Sequence, residues 1–193
     1  MADKRPRCFV VRHGETEWSL SGRHTGRTDL PLLPSGAEQA RALREPLADQ
    51  RFAAVLTSPL VRARQTCDLA GWGEVAVVDQ DLAEWDYGDY EGLTTPEIRR
   101  QRPGWSLFDD GVPGGETVAD VGARVDRVID RVRSIDGDVA CFAHSHVLRV
   151  LIARWAGLDA MAARVFTLDP ASLTVLGWER EQPVVVRLNL RPH

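Results

Sequence analysis

Three stretches of the chain place reactive side chains directly after runs that read as β-strands. They are Arg12-His13-Gly14, Ser58 to Arg62, and His144-Ser145-His146. A fourth group, Glu84 in DLAEWDYGDYEG, follows a run that reads as a short strand over 81–84. The residue types are informative together. The planar fork of arginine suits bidentate binding of phosphate oxygens, and a neutral imidazole nitrogen is a competent nucleophile toward phosphorus. A carboxyl group beside them could protonate a leaving alkoxide if its surroundings hold the proton on it.

For these groups to act together, the strand ends that carry them must meet. Residues 7–12 read as a buried strand, because the CFVV run is β-rich and too short for a helix. Further strands are expected over 53–57, 75–78 and 138–144. Helices are expected between them. One covers 35–48, with Ser35 as N-cap, Glu38 at the capping-box spacing and Pro46 disturbing its last turn. One runs from Leu60 to Ala70, closed by Gly71, and others cover 94–101, 116–133 and 147–156. Over 116–133, Val118, Val121, Val125, Val128, Ile129 and Val132 share one face. Two strands over 172–178 and 183–190 end the chain and could form an antiparallel hairpin or edge. Alternating strands and helices imply an α/β fold: a three-layer α/β/α sandwich on a mostly parallel, doubly wound sheet. No linker divides it, so residues 1–193 read as one domain. The loop from Gly104 to Gly115 is the least regular stretch. In open parallel sheets ligands bind outside the carboxyl ends of the strands, so the reactive stretches are expected to converge on one cleft.

Composition excludes several classes. With 193 residues, 44% hydrophobic and 27% charged, the chain has an ordinary globular balance. A net charge of -4 argues against a nucleic-acid partner. It does not oppose an anionic substrate, since a local field can differ in sign from the global one. Cys8, Cys67 and Cys141 fit neither a disulfide framework nor a zinc cluster, and Cys8 and Cys141, in the apolar runs CFVV and VACFA, read as buried small hydrophobes. No Asp/Glu/His cluster reads as a metal site, and no cofactor is implied. No apolar run approaches the roughly 20 residues of a membrane helix, and the N-terminus lacks a secretory pattern. The expected location is cytoplasmic, without a membrane partner. A dinucleotide-binding site would need GxGxxG after the first strand, where the chain has RHGETEW.

The ordered segments RHGETEW, SGRHTGRTDLPLLPSGAEQA, SPLVRARQT, LAEWDYGDYEGL and FAHSHVLR resemble the histidine phosphatase superfamily, the phosphoglycerate mutase-like branch. The resemblance spans nearly the whole chain and implies the roles of single residues. His13 becomes a transient phosphohistidine. Arg12 and Arg62 bind the phosphoryl oxygens, and His144 donates a hydrogen bond to the same group. Glu84 is the proton donor and later activates water. Ser19 to Gly26 matches the phosphate-binding loop, with Ser19 where relatives often carry Asn, and with Thr25 and Gly26 on the substrate side. His24 lies in that loop as a candidate ligand. Trp85 and Tyr87 either wall the pocket or belong to the core; His146 either touches substrate or caps the following helix. Glu15 and Glu17 read as acids favoured at a helix start.

The resemblance implies a metal-independent phosphatase, closest to small bacterial acid phosphatases and broad phosphomonoesterases. The expected partner is a small phosphate ester such as a sugar phosphate, and the β-rich tail offers an edge for a homodimer. The alternative is a cofactor-dependent phosphoglycerate mutase. Mutases carry an Arg-Arg pair on a longer insert, whereas Arg99, Arg100 and Arg102 here fall close after Glu84 and are followed by acidic Asp109 and Asp110. A regulatory, catalytically weak member would lack one of the reactive residues, and all are present.

Overall fold

A computed structural model describes residues 5–192. Strand β1 (Cys8–Arg12) opens the chain, followed by a short helix α1 (Glu17–Ser21). Helices α2 (Pro34–Ala42) and α3 (Arg44–Leu47) lead to β2 (Ala54–Thr57), then α4 (Val61–Leu69) and β3 (Ala76–Val78). Helices α5 (Thr95–Gln101), α6 (Leu107–Asp110) and α7 (Val118–Ser134) precede β4 (Val139–Ala143). The chain closes with α8 (Ser145–Trp155), β5 (Leu173–Glu179) and β6 (Gln182–Leu190).

The strands form one sheet in the order β3-β2-β4-β1-β5-β6. Pairings β1–β4, β2–β4 and β2–β3 are parallel, while β5 and β6 add antiparallel pairs at one edge. Buried side chains gather on both faces. One cluster joins the sheet to α7 and α8 through Val121, Val125, Val128, Leu148, Leu151 and Ile152. The other joins it to the α3 and α4 layer through Leu43, Leu47 and Cys67. Strand β4 is buried along its whole length, as a central parallel strand covered on both faces must be. The three-layer, mostly parallel architecture follows, with the antiparallel hairpin at the tail. No helix among the described residues is long and apolar enough to cross a membrane.

Two local expectations are corrected. The helix over 35–48 is two helices. Pro34 occupies the first turn of α2, where a missing N–H costs nothing. The Ser35 hydroxyl turns to Glu15 Oε2 (2.9 Å) instead of capping. The chain breaks at Leu43 and restarts, so Pro46 falls inside the single turn of α3 and not at the end of one long helix. The strand over 81–84 is absent. A 3₁₀ turn covers Gln80–Leu82, capped by the Asp79 side chain on Asp81 N–H. The carbonyls of Asp81 and Ala83, which a strand neighbour would have taken, accept instead from Arg124 Nη1 at 2.7 and 2.6 Å.

Candidate active site

The carboxyl ends of β1, β2 and β4 deliver His13, Ser58 and His144 to one place. His13 is fixed as a continuation of the sheet: its N–H donates to Ala143 O and its carbonyl accepts from Ala171 N–H. Its ring is nearly buried. Nδ1 lies 2.7 Å from Gly14 O. A carbonyl only accepts, so Nδ1 carries the proton and Nε2 is left with a free lone pair. Burial, then Arg62 and Arg12, hold the imidazole pKa well below its usual 6.5, so the ring stays neutral. The loop behind it admits no side chain. A Cβ on Gly14 would come within 2.3 Å of Gly36 O, and one on Gly36 within 2.1 Å of Glu15 O.

Arg12 and Glu84 complete the reactive face. Arg12 anchors one end of its fork on Leu168 O, while its Nε is buried without a partner among the described residues. A guanidinium lining the cavity beside a neutral imidazole suits an anionic oxygen. The Glu84 carboxylate sits at the amino end of α8. It accepts from Val147 N–H (2.9 Å) and His146 N–H (3.0 Å), and also from Trp85 N–H (2.9 Å). It thus fills the cap that the helix's own N-cap residue, His144, leaves empty. The segment carrying Glu84 is held from behind. Arg124 forms a two-point pair with Glu116 (2.8 and 3.0 Å) and grips the carbonyls noted above.

Arg62 and His144 lie behind this face. Arg62 Nε donates to His144 Nδ1 at 3.0 Å, so the His144 proton sits on Nε2, which donates to Ser58 Oγ at 2.7 Å. The His144 and His13 ring centroids are 5.1 Å apart. Burial and Arg62 keep His144 neutral as well. The Arg62 guanidinium also holds the carbonyls of Thr25, Gly26 and Thr28. Glu91 takes the amides of Gly26 and Thr28 from the other side. That loop, placed by sequence next to the phosphate, is therefore clamped on both sides by one cation and one anion.

A cavity of about 480 Å³ opens in front of His13, within the range of small-ligand sites. Arg12, His13, Ser19, His24, Thr25, Glu84 and His146 all line it. Arg62, His144, Gly26 and Trp85 do not. Ser19 lines the cavity, but its hydroxyl is engaged in the α1 capping box with Thr16. Trp85 belongs to the core: its ring is fully buried, its indole N–H donates to Glu116 O, and it packs edge-on against Phe108. The wall beside the acid is Tyr87, whose hydroxyl meets His146 Nδ1 at 2.6 Å.

Sequence reasoning missed part of the lining. Arg149, Arg164, Trp105 and Phe108 face the cavity. Of the Arg99, Arg100 and Arg102 trio only Arg99 does so; Arg100 and Arg102 point outward to Glu97 and Asp110. A helical reading of HSHVLR puts Arg149 one turn beyond His146 and could have found it. Trp105 and Phe108 lie in the stretch read as an irregular loop, which buries Leu107 and Phe108 through α6. Among the described residues, no group of three or more His, Cys, Asp or Glu side chains is placed to hold a metal ion.

Comparison with known proteins bears on this arrangement. The family model "Histidine phosphatase superfamily (branch 1)" matches residues 8–191. The chain is 38% identical to an acid phosphatase of Mycobacterium tuberculosis, covering 100% of this chain and 97% of the relative. It is 40% identical to the sedoheptulose 1,7-bisphosphatase of Saccharomyces cerevisiae, over 82% of this chain and 70% of that one. The solved structure of an open reading frame from Mycobacterium tuberculosis superposes with a TM-score of 0.91 at 38% identity, covering 97% of this chain and 99% of the other.

Proposed function

The chain belongs to the histidine phosphatase superfamily, branch 1, and from that membership we propose that it hydrolyses small phosphomonoesters through a phosphohistidine on His13. The observation that carries the reading is a neutral His13, its Nε2 unprotonated, and the Arg12 guanidinium lining the same cavity. A nucleophile and a cationic side chain that line one cavity are what a phosphoryl group would complete.

The reaction proceeds in two displacements. His13 Nε2 attacks phosphorus, the P–O bond to the alcohol breaks, and Glu84, entering as the acid, gives its proton to the leaving oxygen. A water then attacks the phosphohistidine, Glu84 takes its proton, the P–N bond breaks, and phosphate leaves with His13 neutral again. Arg12 binds phosphoryl oxygens directly. Arg62 spends four of its five N–H groups inside the protein and, buried behind the cavity wall, lowers the barrier through its charge. His144 orients Arg62 and, once Ser58 yields its Nε2–H, adds a donor. Residues 1–193 act as one catalytic unit. The name of the yeast relative supports a sugar phosphate as substrate.

The test is turnover of p-nitrophenyl phosphate with rapid quenching. Wild-type protein should give hydrolysis and an acid-labile, base-stable phosphoryl adduct on His13. His13→Ala should retain its fold by circular dichroism and lose both. Turnover by His13→Ala at the wild-type rate overturns the mechanism.

A further inference from the structure

The cavity also holds two imidazoles whose tautomers the protein fixes in opposite senses. His24 Nδ1 lies 2.8 Å from Leu93 O. The carbonyl can only accept, so the proton is on Nδ1 and Nε2 is an acceptor. His146 Nδ1 faces the Tyr87 hydroxyl, which has no other partner among the described residues. Tyr87 is almost wholly buried, and a buried O–H left undonated is costly. It therefore donates to Nδ1, which puts the His146 proton on Nε2 and makes that atom a donor. Burial keeps both rings neutral, helped at His146 by Arg149. Both line the cavity, nearly parallel at 12° with centroids 6.4 Å apart. Neither Nε2 has a protein partner among the described residues.

The pair discriminates between ligand groups. A phosphate or carboxylate oxygen can only accept and would face the lone pair of His24 Nε2. An aliphatic group would leave both nitrogens without partners. A hydroxyl can donate to one and accept from the other. Trp105, edge-on to His24 at 5.4 Å, and Phe108, 5.9 Å from His146, supply apolar walls beside them. Resting on the hydrolase reading above, we propose that His24 and His146 form an acceptor–donor pair that reads hydroxyl groups on the leaving alcohol. The site then takes phosphate esters of polyols and sugars in preference to esters of plain alcohols.

Glycerol 1-phosphate and n-propyl phosphate share a three-carbon chain and differ in hydroxyls. Wild-type kcat/KM should favour the glycerol ester by about 10-fold or more, since a site built to bond a hydroxyl discriminates against its absence. In His24→Phe and His146→Phe that ratio should fall toward one. Turnover of p-nitrophenyl phosphate with equal wild-type rates on the two alkyl esters overturns this inference alone, as does an unchanged ratio in both variants. Failure to turn over any ester overturns the hydrolase reading and this one with it. A measurement independent of variants is ¹⁵N spectroscopy of the histidine rings in the wild-type protein. It should show His24 protonated on Nδ1 and His146 on Nε2, and the reverse at either ring overturns the proposal.

Discussion

Arg62 Nε donates to His144 Nδ1 over 3.0 Å, and neither side chain is exposed to solvent. This bond sets the tautomer of His144 from one side while the rest of the same guanidinium holds three loop carbonyls. Lysine concentrates its donors at one point and cannot serve these directions together. Arg62→Lys should cost about 3 kcal/mol of stability from buried groups left unpaired. Urea unfolding measures that loss. Inorganic phosphate should also bind more weakly, by competition against p-nitrophenyl phosphate.

The buried histidines make stability depend on pH. Folding depresses the pKa of His13, His144 and His146, so each binds a proton more readily in the unfolded chain. Their contribution is complete above the unfolded value near 6.5 and is lost progressively as pH falls below it. The urea midpoint should therefore drop between about pH 7.5 and pH 5.5. His146→Phe, which removes one such group, should flatten the slope; an unchanged slope refutes the assignment.

Glu84→Gln keeps the shape of the group but removes the titrating proton, and its amide NH₂ must turn toward one of the three backbone N–H groups. Rates on glycerol 1-phosphate should fall by about 10² to 10⁴, the usual contribution of a general acid or base. The loss on p-nitrophenyl phosphate should be smaller, because that leaving group needs little protonation. Equal losses would count against proton donation.

Arg124 is a positioning residue: it touches no part of the cavity wall yet fixes the carbonyls of Asp81 and Ala83 just before Glu84. Arg124→Leu should lower kcat more than KM, with the same leaving-group dependence as Glu84→Gln. Arg124→Lys should recover part of it. A purely structural role would lower stability without that dependence, which a comparison of the two esters would reveal.

What the sequence made legible was the part governed by periodicity and by chain-local chemistry. The strand runs, the valine face of α7 and the placement of His13, Arg12 and Glu84 at one cleft are of this kind. Less legible was anything decided by a partner distant in sequence. Trp85 is core because Glu116, 31 residues on, takes its indole N–H. The 81–84 strand fails because Arg124 claims its carbonyls. Ser35 does not cap α2, because Glu15 lies within reach of its hydroxyl. Propensity carries no trace of such pairings.

The cavity's nucleophile and much of its remaining wall come from different kinds of chain. His13, Ser58 and His144 follow strands that are locked into the centre of the sheet, whereas Tyr87, Arg99, Trp105 and Phe108 all come from one uninterrupted stretch between β3 and α7. Inheritance can therefore treat them separately. A lineage could rewrite the part of that stretch that follows Glu84 and acquire a new alcohol while His13, Arg12 and Glu84 pass down untouched. Exchanging the segment between relatives is the natural way to redirect this scaffold.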